Sequence, residues 1–131
     1  MRMRFRDASE EDLYSIVSLL ADDILGAERE RFENPLPREY IQAFRELTAQ
    51  TGNRLIVAVD PAGNITGCLQ ITFIPGIART GAKRALIEGV RVSANERDSG
   101  LGTELFEFAI EEARKANCKL VQLTTDKERP D

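Results

Sequence analysis

Glu88, Arg97, Ser99, Gly100, Gly102 and Thr103 are the residues of this chain whose types and spacing can do chemistry. A glutamate takes a proton, an arginine offers a permanent cation with a planar fork of donors, and closely spaced glycines let an anion reach the backbone. Ser99 and Thr103 add hydroxyl donors. The chain contains no histidine, so Ser-His-Asp and Cys-His mechanisms and histidine metal clusters are excluded. Proton transfer therefore falls to carboxylate, tyrosine, cysteine, lysine or water.

Periodicity predicts the elements that must position these groups. Leu86, Glu88, Val90 and Val92 alternate with Ile87, Gly89 and Arg91, which predicts a strand carrying Glu88 on its apolar side. From Leu101 onward Leu105, Phe108, Ala109, Ala113 and Ala116 recur at helical spacing, with Glu104, Glu107, Glu111, Arg114 and Lys115 on the other faces. Between them Ser93 to Ser99 are polar or small. A strand, a glycine-bearing turn and a helix in that order form a phosphate cradle, because a helix start has unpaired N–H groups and a partial positive charge. A lone Gly-x-Gly is more often a tight turn, but the flanking elements and Arg97 favour the phosphate reading. Glu88 has two readings: a general base among Leu86, Val90 and Val92, or an inward charge paired with an arginine.

Arg97-Asp98-Ser99-Gly100-Leu101-Gly102 resembles the Arg/Gln-x-x-Gly-x-Gly/Ala signature of the Gcn5-related N-acetyltransferases, which bind acetyl-coenzyme A. Ile87-Glu88-Gly89-Val90-Arg91-Val92 is similar to that family's central strand, particularly in its glucosamine-phosphate acetyltransferase branch. Phe5-Arg6-Asp7-Ala8-Ser9-Glu10-Glu11-Asp12-Leu13 resembles its first strand and helix. Walker A is excluded because no Gly-Lys-Ser/Thr follows, and a Rossmann fingerprint fails at Leu105.

The resemblance implies an α/β fold with a mixed, mainly antiparallel sheet flanked by helices, and acetyl-coenzyme A as co-substrate without a metal. Arg97, Asp98, Ser99, Gly100, Leu101, Gly102 and Thr103 would hold the diphosphate, and the backbone of Val90, Arg91 and Val92 the pantetheine arm. Glu88 would take the proton, directly or through water, as a primary amine attacks the thioester. The family also continues past the strand at Leu120 to Thr124 with a tyrosine-bearing helix and closing strands. This sequence stops at Asp131, where that motif should begin, and Tyr14 and Tyr40 do not match its tyrosine. The expectation is an exposed sheet edge, exposed apolar surface and homodimerisation. The rivals are a non-catalytic module that binds coenzyme A or dimerises, and a structural partner without a ligand.

Length and composition agree with one domain over 1–131: 42% hydrophobic and 31% charged residues suit an ordinary globule. The net charge of −4 argues against nucleic acid as a partner, and no apolar run is long enough for a membrane span. Cys68 and Cys118 form no Cys-x-x-Cys motif and read as buried thiols of a cytoplasmic protein.

Along the chain, Met3 to Arg6 reads as an edge strand, and Ser9 as the N-cap of a helix reaching about Ile24, with Leu13, Ile16, Val17 and Leu20 as its stripe. Gly26 to Pro37 reads as a loop, and about Pro37 to Ala49 as a second helix with Tyr40, Ile41, Phe44 and Leu47 on one face. Glu28, Glu30 and Glu33 either attract a cationic amine or form a solvated face with Arg29 and Arg31. Leu55 to Val59 suits a strand buried on both faces, and Ile65 to Ile74 returns as its hairpin partner, Gly67 marking a bulge. In the loop that follows, Arg79, Lys83 and Arg84 either meet the nucleotide phosphate of coenzyme A or are solvated.

Overall fold

The computed structural model describes residues 3–124. Five strands form one sheet in sequential order: β1 (Arg4–Asp7), β2 (Asn53–Val59), β3 (Ile65–Ile74), β4 (Arg84–Val92) and β5 (Leu120–Leu123). All neighbours are antiparallel except β4 and β5, which run parallel. The helices are α1 (Leu13–Leu20), α2 (Ile24–Arg29), α3 (Arg38–Ala49), a short turn α4 (Ala78–Gly81) and α5 (Leu101–Lys115). This is the mixed, mainly antiparallel α/β sheet anticipated from the sequence.

The apolar run in β2 is buried on both faces because period-two alternation sends its side chains into two cores. Ile56 and Ala58 join Leu69, Ile71, Ala85 and Ile87 beneath α5, while Val57 and Val59 meet Leu13, Ile16 and Leu19 of α1. The α5 stripe is Leu101, Leu105, Ala109 and Ala113, each at most 1% exposed, and the alanines let the helix lie close to the sheet. Phe108 stacks on Phe5 of β1 with ring centroids 5.1 Å apart. Arg54 ties the same layer together, pairing with Asp7 at 2.9 Å and Glu112 at 2.6 Å.

Two bulges set the registers. Ala58 pairs with Gly67 but Val59 with Ile65, so Thr66 is the extra residue. Gly67 itself is dictated by packing, since a Cβ there would lie 2.9 Å from Leu105 Cδ1 and 3.2 Å from the Arg91 carbonyl oxygen. In β4, Gln70 pairs with Glu88 and Cys68 with Arg91, so Gly89 and Val90 together oppose Leu69. Gly89 takes φ +62°, the left-handed conformation that a glycine adopts without strain.

The helix expected from Ser9 to about Ile24 is divided. Glu10–Asp12 form a 3-10 turn, α1 ends at Leu20, and α2 occupies the first part of the expected loop. The chain breaks because Asp23 caps a new helix, its carboxylate accepting the Gly26 N–H at 2.5 Å. Gly26 then packs against the end of α1, where a Cβ would collide with the Leu20 carbonyl oxygen. At the start, the buried Asp12 carboxylate accepts the Ser9 N–H at 2.7 Å and two guanidinium bonds from Arg6. The Arg6 bond holds the Asp12 carboxyl below its ordinary range.

Candidate active site

The candidate site lies along the C-terminal half of β4, which stays paired with β3 as far as Val92. β4 and β5 pair only from Arg84↔Leu120 to Ile87↔Leu123, and the Thr124 N–H then bonds the Ile87 carbonyl at 3.2 Å. From Glu88 to Val92, β4 has no strand neighbour on that side among the described residues. Val90, Arg91 and Val92 follow the Gly89 bulge on this strand.

The bulge also corrects the expected face of Glu88. Alternation alone put Glu88 with Val90 and Val92, but the extra residue reverses the side-chain sense between them. Val90 and Val92 pack toward the α5 core with Ala85 and Ile87, whereas Glu88 shares the opposite face with its partner Gln70. Glu88 is half-buried, and its carboxylate forms no ion pair among the described residues.

The glycine-bearing turn follows β4. Ala94–Glu96 form a 3-10 turn, Asp98 takes φ +71°, and Gly100 takes φ +89° as the N-cap of α5. The Ser99 hydroxyl, expected as a donor to the anion, gives its proton to the Glu96 carbonyl at 2.5 Å and so braces the loop. The first helical bond of α5 is Glu104 N–H to the Gly100 carbonyl, 3.1 Å. Among the described residues the N–H groups of Gly100, Leu101, Gly102 and Thr103 find no backbone acceptor. These are the unpaired donors of a helix start, and the dipole adds positive potential.

Gly102 carries independent information. It is helical, so its conformation does not require glycine, and a Cβ there would meet only Val92 Cγ2 at 3.9 Å. Helix interiors disfavour glycine by roughly 1 kcal/mol relative to alanine. Packing therefore leaves this glycine unexplained, while close approach of an anion to the backbone explains it. Arg97 stands exposed at the same turn and reaches Asp22 at 3.3 Å, across the α1–α2 break. Asp22 is a residue that sequence reasoning missed, because nothing local marks an acid that meets a cation so distant in sequence.

The other candidates are placed elsewhere. Arg79, Lys83 and Arg84 lie at the N-terminal end of β4, about 26 Å from the cradle at ~3.3 Å per strand residue, too far to hold the same nucleotide. Glu30 accepts a hydrogen bond from the Tyr40 hydroxyl at 2.7 Å, and Glu33 pairs with Arg31 at 3.1 Å, so these acids brace the loop before α3. Glu10, Tyr14, Pro35, Leu36 and Ile41 line a depression of about 460 Å³ between α1 and α3, and the Tyr14 ring meets Phe32 at 4.7 Å. Cys68 is buried and its thiol is pushed up to about 12 by that burial, so it is no nucleophile near neutrality; Cys118 is half-buried. No helix among the described residues is long and apolar enough to cross a membrane.

A mixed five-stranded sheet whose bulged β4 runs through a glycine-bearing turn into a helix start is the acyl-coenzyme A N-acyltransferase fold. The chain belongs to the acetyltransferase (GNAT) family, whose sequence profile matches residues 21–131. It is similar to the crystal structure of a transcriptional regulator from Bacillus halodurans C-125, at 48% identity and TM-score 0.94 over 99% of this chain and 86% of that one. It is also similar to a Trypanosoma brucei acetyltransferase, at 26% identity and TM-score 0.76 over 97% of this chain and 85% of that one. Glucosamine-6-phosphate N-acetyltransferase from Arabidopsis thaliana shares the fold at 19% identity and TM-score 0.78, over 98% of this chain and 85% of that one. No curated protein matches the chain in sequence.

Proposed function

We propose that this protein transfers the acetyl group of acetyl-coenzyme A to a primary amine of a small molecule or peptide. The observation that carries this reading is the row of N–H groups from Gly100 to Thr103 without a backbone acceptor among the described residues, at the foot of the bulged strand β4. Arg97 and the α5 N-terminus hold the diphosphate, and the main chain of Val90 to Val92 holds the pantetheine arm, aligning the thioester along β4. The cofactor supplies an activated acyl carbon. Glu88 receives the proton of the attacking amine, directly or through one water, as the new C–N bond forms and the C–S bond breaks. Its half-buried position, with no ion pair among the described residues, leaves the carboxylate available as that base.

Acetyl-coenzyme A should raise the melting temperature, and Arg97→Glu should abolish the rise. Thiol release with a panel of amines should fall by about 10²-fold or more in Glu88→Gln while the cofactor-induced rise persists. Absence of any thermal shift at saturating cofactor would end this reading. Binding without turnover would instead assign a non-catalytic coenzyme A module.

A further inference from the structure

The end of β4 remote from the cradle carries a second concentration of donors. Arg79, Thr80, Lys83, Asn117 and Lys119 line a cavity of about 630 Å³ between the β3–β4 connection, the end of α5 and the start of β5. No carboxylate lines it. Among the described residues Arg79, Lys83 and Lys119 form no ion pair, although the chain as a whole carries a net charge of −4. The nearby acids of α5 are engaged elsewhere, Glu111 with Arg114 and Glu112 with Arg54 and Lys115.

The backbone forces two of these cations together. The Lys119 N–H donates to the Lys83 carbonyl at 2.8 Å, immediately before the Arg84↔Leu120 pair, so the two lysines are neighbours on adjacent strands. Like charges in that arrangement repel. Arg79 and Thr80 hold left-handed backbone at φ +58° and +62°, a conformation that is unfavourable for residues bearing a Cβ. Lys83 has one internal use: its Nζ donates to the Ala116 carbonyl at 2.8 Å, where the α5 dipole favours a cation. That leaves Arg79 and Lys119 unexplained by the fold.

We propose that this cavity binds a phosphate group, either inorganic phosphate or the monoester of a small molecule. Three cations with hydroxyl and amide donors beside them match a dianion rich in acceptor oxygens, and the arginine fork can take two of those oxygens at once. The inference does not rest on acetyl transfer, since the cradle lies at the other end of β4.

The test is a titration of the ¹⁵N-labelled full chain with inorganic phosphate, ionic strength held constant with chloride. Amide shifts at residues 79–83 and 117–120 should saturate, and the combined Arg79→Glu and Lys119→Glu variant, both at exposed positions, should weaken binding about tenfold or more. Arg97→Glu should leave those shifts intact. Shifts that grow linearly without saturation, or that persist unchanged in the double variant, overturn the proposal. Saturation confined to residues 97–103 also overturns it while leaving the cofactor cradle standing.

Discussion

Gly102 separates the demands of folding from those of binding. Because nothing but Val92 Cγ2 lies within 4 Å of a Cβ there, Gly102→Ala should stabilise the free protein by about 0.5–1 kcal/mol in urea unfolding. Under the proposed function the same methyl group stands in the path of the diphosphate, so the variant should lose most of the acetyl-coenzyme A thermal shift. A variant that gains stability and keeps the full shift would mean that the glycine serves neither purpose. Asp12 offers a residue-scale test of a different kind. Its native pKa is lowered, chiefly by the Arg6 hydrogen bond, so its contribution is complete above the unfolded aspartate value and is lost as pH falls through the native one. Asp12→Asn should therefore cost about 1–2 kcal/mol at pH 7, and the gap to the parent should close as the pH drops below about 4. Urea midpoints across that range measure it.

Among the elements, the break between α1 and α2 is the instructive one. Apolar spacing from Leu13 to Leu20 reveals the first helix, but not where it stops, since Asp22 and Asp23 are equally at home on a solvated helical face. The stop depends on Asp23 accepting the Gly26 N–H and on Gly26 fitting against the Leu20 carbonyl, a contact that exists only after the chain has turned. Gly26→Ala should then destabilise the fold by about 1–3 kcal/mol, read as a lower urea midpoint, even though glycine is ordinarily the poorer helix former. By contrast α5 and the β2–β3 hairpin were legible, because Leu101, Leu105, Ala109 and Ala113 mark one helical face and the Asp60–Asn64 turn joins two apolar runs. Asp60 closes that turn by accepting the Ala62 and Asn64 N–H groups at 3.0 and 2.8 Å.

At the scale of the whole molecule, the run from β4 through the glycine turn into α5 was readable and its surroundings were not. Strand, glycine turn and helix are contiguous in sequence, so residues 97–103 announce themselves. The face of Glu88 is different: it depends on the extra residue at Gly89, which only pairing with β3 exposes, and strict alternation places the carboxylate on the wrong side. Likewise Arg97 meets Asp22, and Lys119 meets Lys83, through chain reversals that leave no local trace.

Recognition through the main chain of β4, as proposed for the pantetheine arm, has a consequence for how such a protein can diverge. A ligand held by peptide groups is recognised through atoms that every amino acid shares, so under that proposal the side chains at Val90, Arg91 and Val92 can drift without erasing what the strand accepts. Divergence is then channelled into segments that present side chains, such as the loop before α3, where a new acceptor can be met without any change in the strand.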